Sequence, residues 1–321
     1  MKSLRLLLLA LLLSALSGVH AAQEDSVPNE NATRAKIDKL IKECQESKRK
    51  ATLGLLQEAI GLSISYGAPS WNQGDHEACF RFYAKTAKSL CSAFGEAASA
   101  TDAAHGSLSD LKSALERAAK SPDVDKDAWA MRYAFDKNQL ACSMIAEHIQ
   151  GLVEVGTQNF KRGQYEEAQD AYQTGTAMLG ELDGQALDAI PGACRFAPFA
   201  LANALFAQKK YKEAVAPIAQ GLKYLPEWPT LTFDLRGLHP SPDEYEEILK
   251  DLEDKAKASP DDADVQFMLG YEYHYTGKKS LAQEQFQKAL KLDPAHAAKA
   301  FAKKVEMPAM GETEPKATKA R

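Results

Sequence analysis

Small residues stand where two antiparallel helices would cross, inside windows of 34 residues that begin at Arg195, Pro229 and Ala263. In the last window Leu269, Gly270, Tyr273, Gly277, Ala282, Phe286, Ala289 and Pro294 fall at positions 7, 8, 11, 15, 20, 24, 27 and 32. Gly270 and Ala282 let two backbones approach closely, so that Leu269, Tyr273 and Phe286 can interdigitate around the contact. Gly277 supplies a helix end, and Pro294 stops the second helix because it has no N–H to donate. One such hairpin leaves an apolar face uncovered. Neighbouring hairpins must stack to bury it, which predicts an all-α chain built as an α-solenoid.

The other windows keep parts of this pattern. From Arg195, the matching residues are Leu201, Ala202, Leu205, Tyr211, Ala214, Ile218 and Pro226, with Lys209 in place of the turn glycine. From Pro229, the second half is in phase through Tyr245, Ile248, Leu252 and Pro260. The stretch Thr230 to Pro242 carries Gly237, Pro240 and Pro242 and cannot form a first helix. A further unit starts at Ile149, followed by twelve extra residues, Asp183 to Cys194, expected to form a loop or a helix extension. Gly67, Trp71, Gly74, His76, Cys79, Tyr83 and Leu90 match Gly156, Phe160, Gly163, Tyr165, Ala168, Tyr172 and Leu179 at a constant offset of 89. The N-terminal half is therefore expected to be helical hairpins as well. Its remaining helices are predicted over Arg34 to about Tyr66, Ser107 to Lys120 and Asp127 to about His148.

The Ala263 window resembles a tetratricopeptide repeat in eight signature positions. The resemblance implies a superhelix whose concave face holds a protein or peptide, and it implies that positions 2, 5, 9, 12 and 13 of each first helix line that face. On this sequence those positions give Phe199, Asn203 and Phe206 in one window and Phe267, Tyr271 and His274 in another, as the partner-binding groove. Only Asn203 and Lys161 fit the Lys/Asn clamp by which some members hold a peptide's carboxylate. An aromatic groove favours apolar or amphipathic segments, or stacked sugar rings. The competing expectation is that these rings are core, with the long N-terminal helix or the Thr230 to Pro242 loop filling the groove. Burial of Phe199, Phe206, Phe267 and Tyr271 would decide for it.

The chain has 321 residues, 26% of them charged, and a net charge of −5, which removes the general attraction to phosphate backbones that nucleic-acid binding requires. Residues 1–22 read as an export signal: Lys2 and Arg5 precede the apolar run Leu6 to Leu13, and Val19-His20-Ala21 offers small residues for cleavage. The expected organisation is a polar linker over 23–33 and an N-terminal helical region over 34–148. A repeat array over 149–306, degenerate in half at 229–262, and a disordered tail over 307–321 complete it. Asn31-Ala32-Thr33 is a glycosylation sequon. Export would allow Cys44, Cys79, Cys91, Cys142 and Cys194 to oxidise, and either buried thiols or one or two bridges are expected. Cys79 and Cys91, about 18 Å apart along one helix, cannot bridge each other.

Convergent reactive groups are scarce. Asp75-His76-Glu77 is the densest polar cluster, but it sits at a helix start, and His76 occupies the structural position of Tyr165. No HExxH, GxSxG, phosphate loop or CxxC occurs, so no catalytic residue, cofactor or metal is expected. The reading is an exported, non-enzymatic scaffold for a protein or peptide, in the periplasm or at the cell surface. The alternative is a saccharide- or small-ligand-binding or enzymatic module in the N-terminal half, favoured by a cavity with histidine and an aromatic platform. A third reading, a structural role in an envelope assembly, would be raised by a self-complementary apolar face.

Overall fold

The computed structural model describes residues 27–96, 98–182, 187 and 190–302. The expected export signal, the first residues of the linker, the tail at 307–321 and most of the 183–189 stretch lie outside them. Among the described residues twelve α-helices run in order: α1 Glu30–Glu46, α2 Leu53–Asn72, α3 His76–Phe94, α4 Asp102–Ala118, α5 Val124–Lys161, α6 Tyr165–Leu179, α7 Ala197–Ala207, α8 Val215–Tyr224, α9 Pro242–Ala258, α10 Ala263–Tyr275, α11 Lys279–Leu292 and α12 Ala298–Ala302. Among the described residues there is no strand, only a lone bridge between Ala51 and Ala100. The chain is all-α, consistent with a helical-repeat solenoid.

Four hairpins share one turn. Gly74, Gly163 and Gly277 adopt φ of 87°, 75° and 81°, and Lys209 stands at the corresponding place with φ 60°. A left-handed residue ends the first helix and reverses the chain, which is glycine's usual task. Lys209 fills that role against its own Cβ, so the turn geometry is imposed by the helices it joins. Inside the hairpins the close approach is equally specific. A Cβ on Gly67, Gly156 or Gly270 would lie 2.2, 2.6 or 2.7 Å from the ring of Tyr83, Tyr172 or Phe286. The offset of 89 extends to ring pairs, though not to their geometry: Trp71 stacks on His76, whereas Phe160 meets Tyr165 edge-on.

One apolar core lies among α1–α5, a second among α5–α12, and a smaller cluster of Leu53, Cys142, Ile149, Leu179, Leu182 and Cys194 joins them. The expected boundary between 148 and 149 falls inside α5. Its buried residues Met131, Phe135, Asn138, Cys142, Ala146 and Ile149, then Gly156 and Phe160 after the half-buried Val153, follow three- and four-residue steps across that boundary. No proline breaks the run, and Asp123 caps its start by accepting from Lys126 N at 3.1 Å.

The helix expected over Arg34 to Tyr66 is two helices. Lys48 takes φ 53°, and Thr52 caps α2 by accepting from Leu55 N at 3.2 Å. The polar stretch Glu46 to Lys50 offers nothing to bury and forms the turn. The polar linker does not extend to 33: α1 starts at Glu30, capped by Asn29, and Thr33 is buried, so the sequon lies in a helix's first turn. Cys79, Cys91 and Cys194 carry free thiols, and Cys44 and Cys142 are buried.

Candidate functional site

The expected groove is closed. Phe199, Phe206, Phe267 and Tyr271 retain only 3%, 0%, 0% and 3% exposure, and Asn203 and His274 are half-buried. The stretch that cannot be a first helix, together with Trp228 and Pro229 just before it, forms two short 3-10 turns, Trp228–Thr230 and Leu235–Leu238, and lies over these positions. Trp228 stacks on Phe199 with centroids 3.9 Å apart and donates from Nε1 to the Tyr271 hydroxyl at 3.0 Å. Its carbonyl accepts from Tyr275 Oη at 2.8 Å, and the Pro229 carbonyl meets His274 Nε2 at 3.1 Å. His239 Nε2 donates to Asn203 Oδ1 at 3.1 Å while its ring stands edge-on among Phe160, Phe206 and Tyr245. Phe267 is covered from the other side by His296 and Phe301. The six residues expected to hold a partner are packed by the protein's own chain, so the open groove is corrected to a filled one. The physical reason is economical: a Pro- and Gly-containing segment denied a helix supplies rings and carbonyls that satisfy the face instead.

Burial also shapes the charges there. It pushes His239 down to about 4 and lowers His274, holding both imidazoles neutral. Glu272 is 1% exposed and burial pushes its carboxyl up to about 8, with the Tyr245 hydroxyl donating to Oε2 at 2.8 Å as a partial counterweight. No cation faces it among the described residues.

Asp75-His76-Glu77 is a helix start, as expected, with Asp75 accepting from Ala78 N at 2.9 Å. His76 stacks on Trp71 at 3.8 Å and its Nδ1 meets Asp125 Oδ1 at 2.8 Å. The aromatic face that a sugar ring would need is thus occupied by an imidazole. The adjoining cavity, between Trp71, Tyr83, Trp129 and Arg132, holds about 120 Å³, well below the roughly 300 Å³ at which small-molecule sites begin. Among the described residues no group of acidic, histidine and cysteine side chains could hold a metal ion, and no helix is long and apolar enough to cross a membrane.

The surface that remains is the outer face of α5, which lies apart from the positions expected to line a groove. Trp129, Tyr133, Leu140, Met144 and Val155 are 59%, 71%, 60%, 61% and 50% exposed. Large apolar side chains held in water along one helix face mark an interaction site more often than chance. Beside Trp129 and Tyr133 a trough of about 320 Å³ is edged by Arg117, Lys126 and the ion pair of Lys137 with Asp110. The signal was present in sequence as pairs four apart, repeating every eleven residues: Trp129/Tyr133, Leu140/Met144 and Gly151/Val155.

Residues 263–296 match the family model of the tetratricopeptide repeat. A comparison with curated proteins finds no match to the chain.

Proposed function

We propose that this chain, which carries a tetratricopeptide repeat over residues 263–296, is an exported, non-enzymatic scaffold that docks a protein partner on the outer face of α5. The repeat supports protein interaction at the general level. The five exposed apolar side chains of α5 carry the choice of surface, because the concave positions are spent on internal packing. The basic start, apolar run and small residues of 1–22 support export, which would place the scaffold in the periplasm or at the cell surface. The test is a photo-crosslinking residue placed at Leu140, or in a control at the exposed Lys250 of α9, in the chain expressed in its native envelope. Protein adducts should form at 140 and not at 250. Equal yields at both positions would remove the α5 face from consideration, and recovery of the chain from the cytoplasm alone would remove export.

A further inference from the structure

The apolar stripe of α5 is symmetric about the level of Cys142. Leu140 and Met144 lie two residues either side of it, Lys137 and Glu147 five, Tyr133 and Gly151 nine, and Trp129 and Val155 thirteen. Cys142 itself points into the core at 5% exposure, while these partners all lie on the exposed side. An antiparallel copy of the same helix, centred at that level, would bring each member of a pair opposite the other. Bulk then meets space: Trp129 faces Val155 and Tyr133 faces Gly151, whose missing side chain leaves room for the ring. Charge is also matched, because Lys137 faces Glu147 at both ends of the central Leu140–Met144 contact. The parallel arrangement fails on the same residues. It would set Lys137 on Lys137, Glu147 on Glu147 and indole on indole.

From these juxtapositions we infer that a second copy of this chain occupies the outer face of α5, packed antiparallel across a two-fold axis at the level of residue 142. The inference rests on reading that face as a docking surface, and it names the occupant. The stripe from Trp129 to Val155 is about 39 Å long at 1.5 Å per residue and one helix, about 10 Å, wide. Its footprint is therefore roughly 400 Å² per copy, about 800 Å² in total, below the roughly 1,200 Å² of stable specific interfaces, so a weak, transient dimer that dissociates in the upper micromolar range is expected. The concave groove, filled by Trp228 and His239, takes no part.

Sedimentation velocity of the chain without residues 1–22, from about 1 to about 100 μM, should show a monomer passing to a dimer. Leu140→Glu should weaken the dimer by about a hundredfold or more without moving the circular-dichroism melt, since Leu140 is 60% exposed. Lys137→Glu and Glu147→Lys should each weaken it by roughly tenfold, and the double exchange should restore the wild-type constant to within about threefold. Lys137 also pairs with Asp110 at 2.9 Å in its own chain, but the double exchange lacks that pair too, so rescue can come only from across the axis. A monomer throughout the concentration range, or a double exchange no better than the single ones, overturns the inference. The crosslinker at Leu140 separates the two layers: a self-adduct supports the dimer. An adduct to a different protein, with the chain monomeric, overturns the dimer and leaves the docking face standing. No adduct at all overturns both.

Discussion

Glu272 is a buried carboxyl of the C-terminal core with no counter-ion among the described residues, and replacing it by Gln should make the protein increasingly more stable than the wild type as pH rises. Burial holds the folded-state value near 8 against an ordinary 4.5. At about 1.4 kcal/mol per pH unit, the gap is worth on the order of 5 kcal/mol. The sign follows from which state holds the proton. The unfolded chain releases it from about pH 4.5 upward while the folded chain keeps it, so the contribution is complete below 4.5 and drains away until about pH 8. At pH 7 on the order of 3 kcal/mol has already gone. Gln cannot ionise, keeps an oxygen for the Tyr245 hydroxyl, and leaves its second polar atom where Glu272 Oε1 already lacks a partner among the described residues. Urea unfolding of the wild type and Glu272→Gln, followed by circular dichroism at pH 5, 7 and 9, measures the difference directly. It should grow from about 1 kcal/mol at pH 5 through about 3 at pH 7 to about 5 at pH 9. Other titrating groups are common to both proteins and cancel. A difference constant to within about 1 kcal/mol across that range would refute the assignment of a high-lying carboxyl.

His239 should give the opposite trend. Its folded-state value near 4, against 6.5, adds stability that is complete above about pH 6.5 and lost towards pH 4, on the order of 3 kcal/mol, and His239→Gln should flatten that slope in acid urea titrations. Gly156→Ala should destabilise by about 1–3 kcal/mol because its Cβ would stand 2.6 Å from the Tyr172 ring, whereas Gly106→Ala, with open space around it, should stabilise by about 0.5–1 kcal/mol; thermal melts separate the two. Phe206→Ala should cost about 3–5 kcal/mol, and Trp228→Ala a similar amount through the lost stack on Phe199. Near-wild-type melting of either variant would mean that the filled groove is not core.

What the sequence made legible was whatever depends on backbone approach and chain reversal. Gly67, Gly156 and Gly270 are read correctly because a contact that tolerates no Cβ leaves a mark at a fixed spacing from the ring it meets. Lys209 was legible as a departure, and its positive φ shows the turn surviving the loss of glycine. The groove was not legible, because the positions lining a concave face and those lining a core carry the same aromatic residues. Only the path of Trp228 to His239 distinguishes them, and a segment without a period has no pattern to read. The boundary at 148/149 was missed for a related reason: one helix serves two cores, and nothing in its own sequence marks where one ends. The face of α5 is written in the sequence as an eleven-residue repeat, but that period is unrelated to the 34-residue hairpin windows and leaves no mark in them.

That shared helix sets how the protein can respond to load. Thirty-eight residues without a break make a strut some 57 Å long, with no joint about which one half could swing against the other. A protease cut near residue 148 would strip a wall from both cores at once, so neither fragment should persist alone. Distances between objects fastened to the two ends would be held like marks on a ruler.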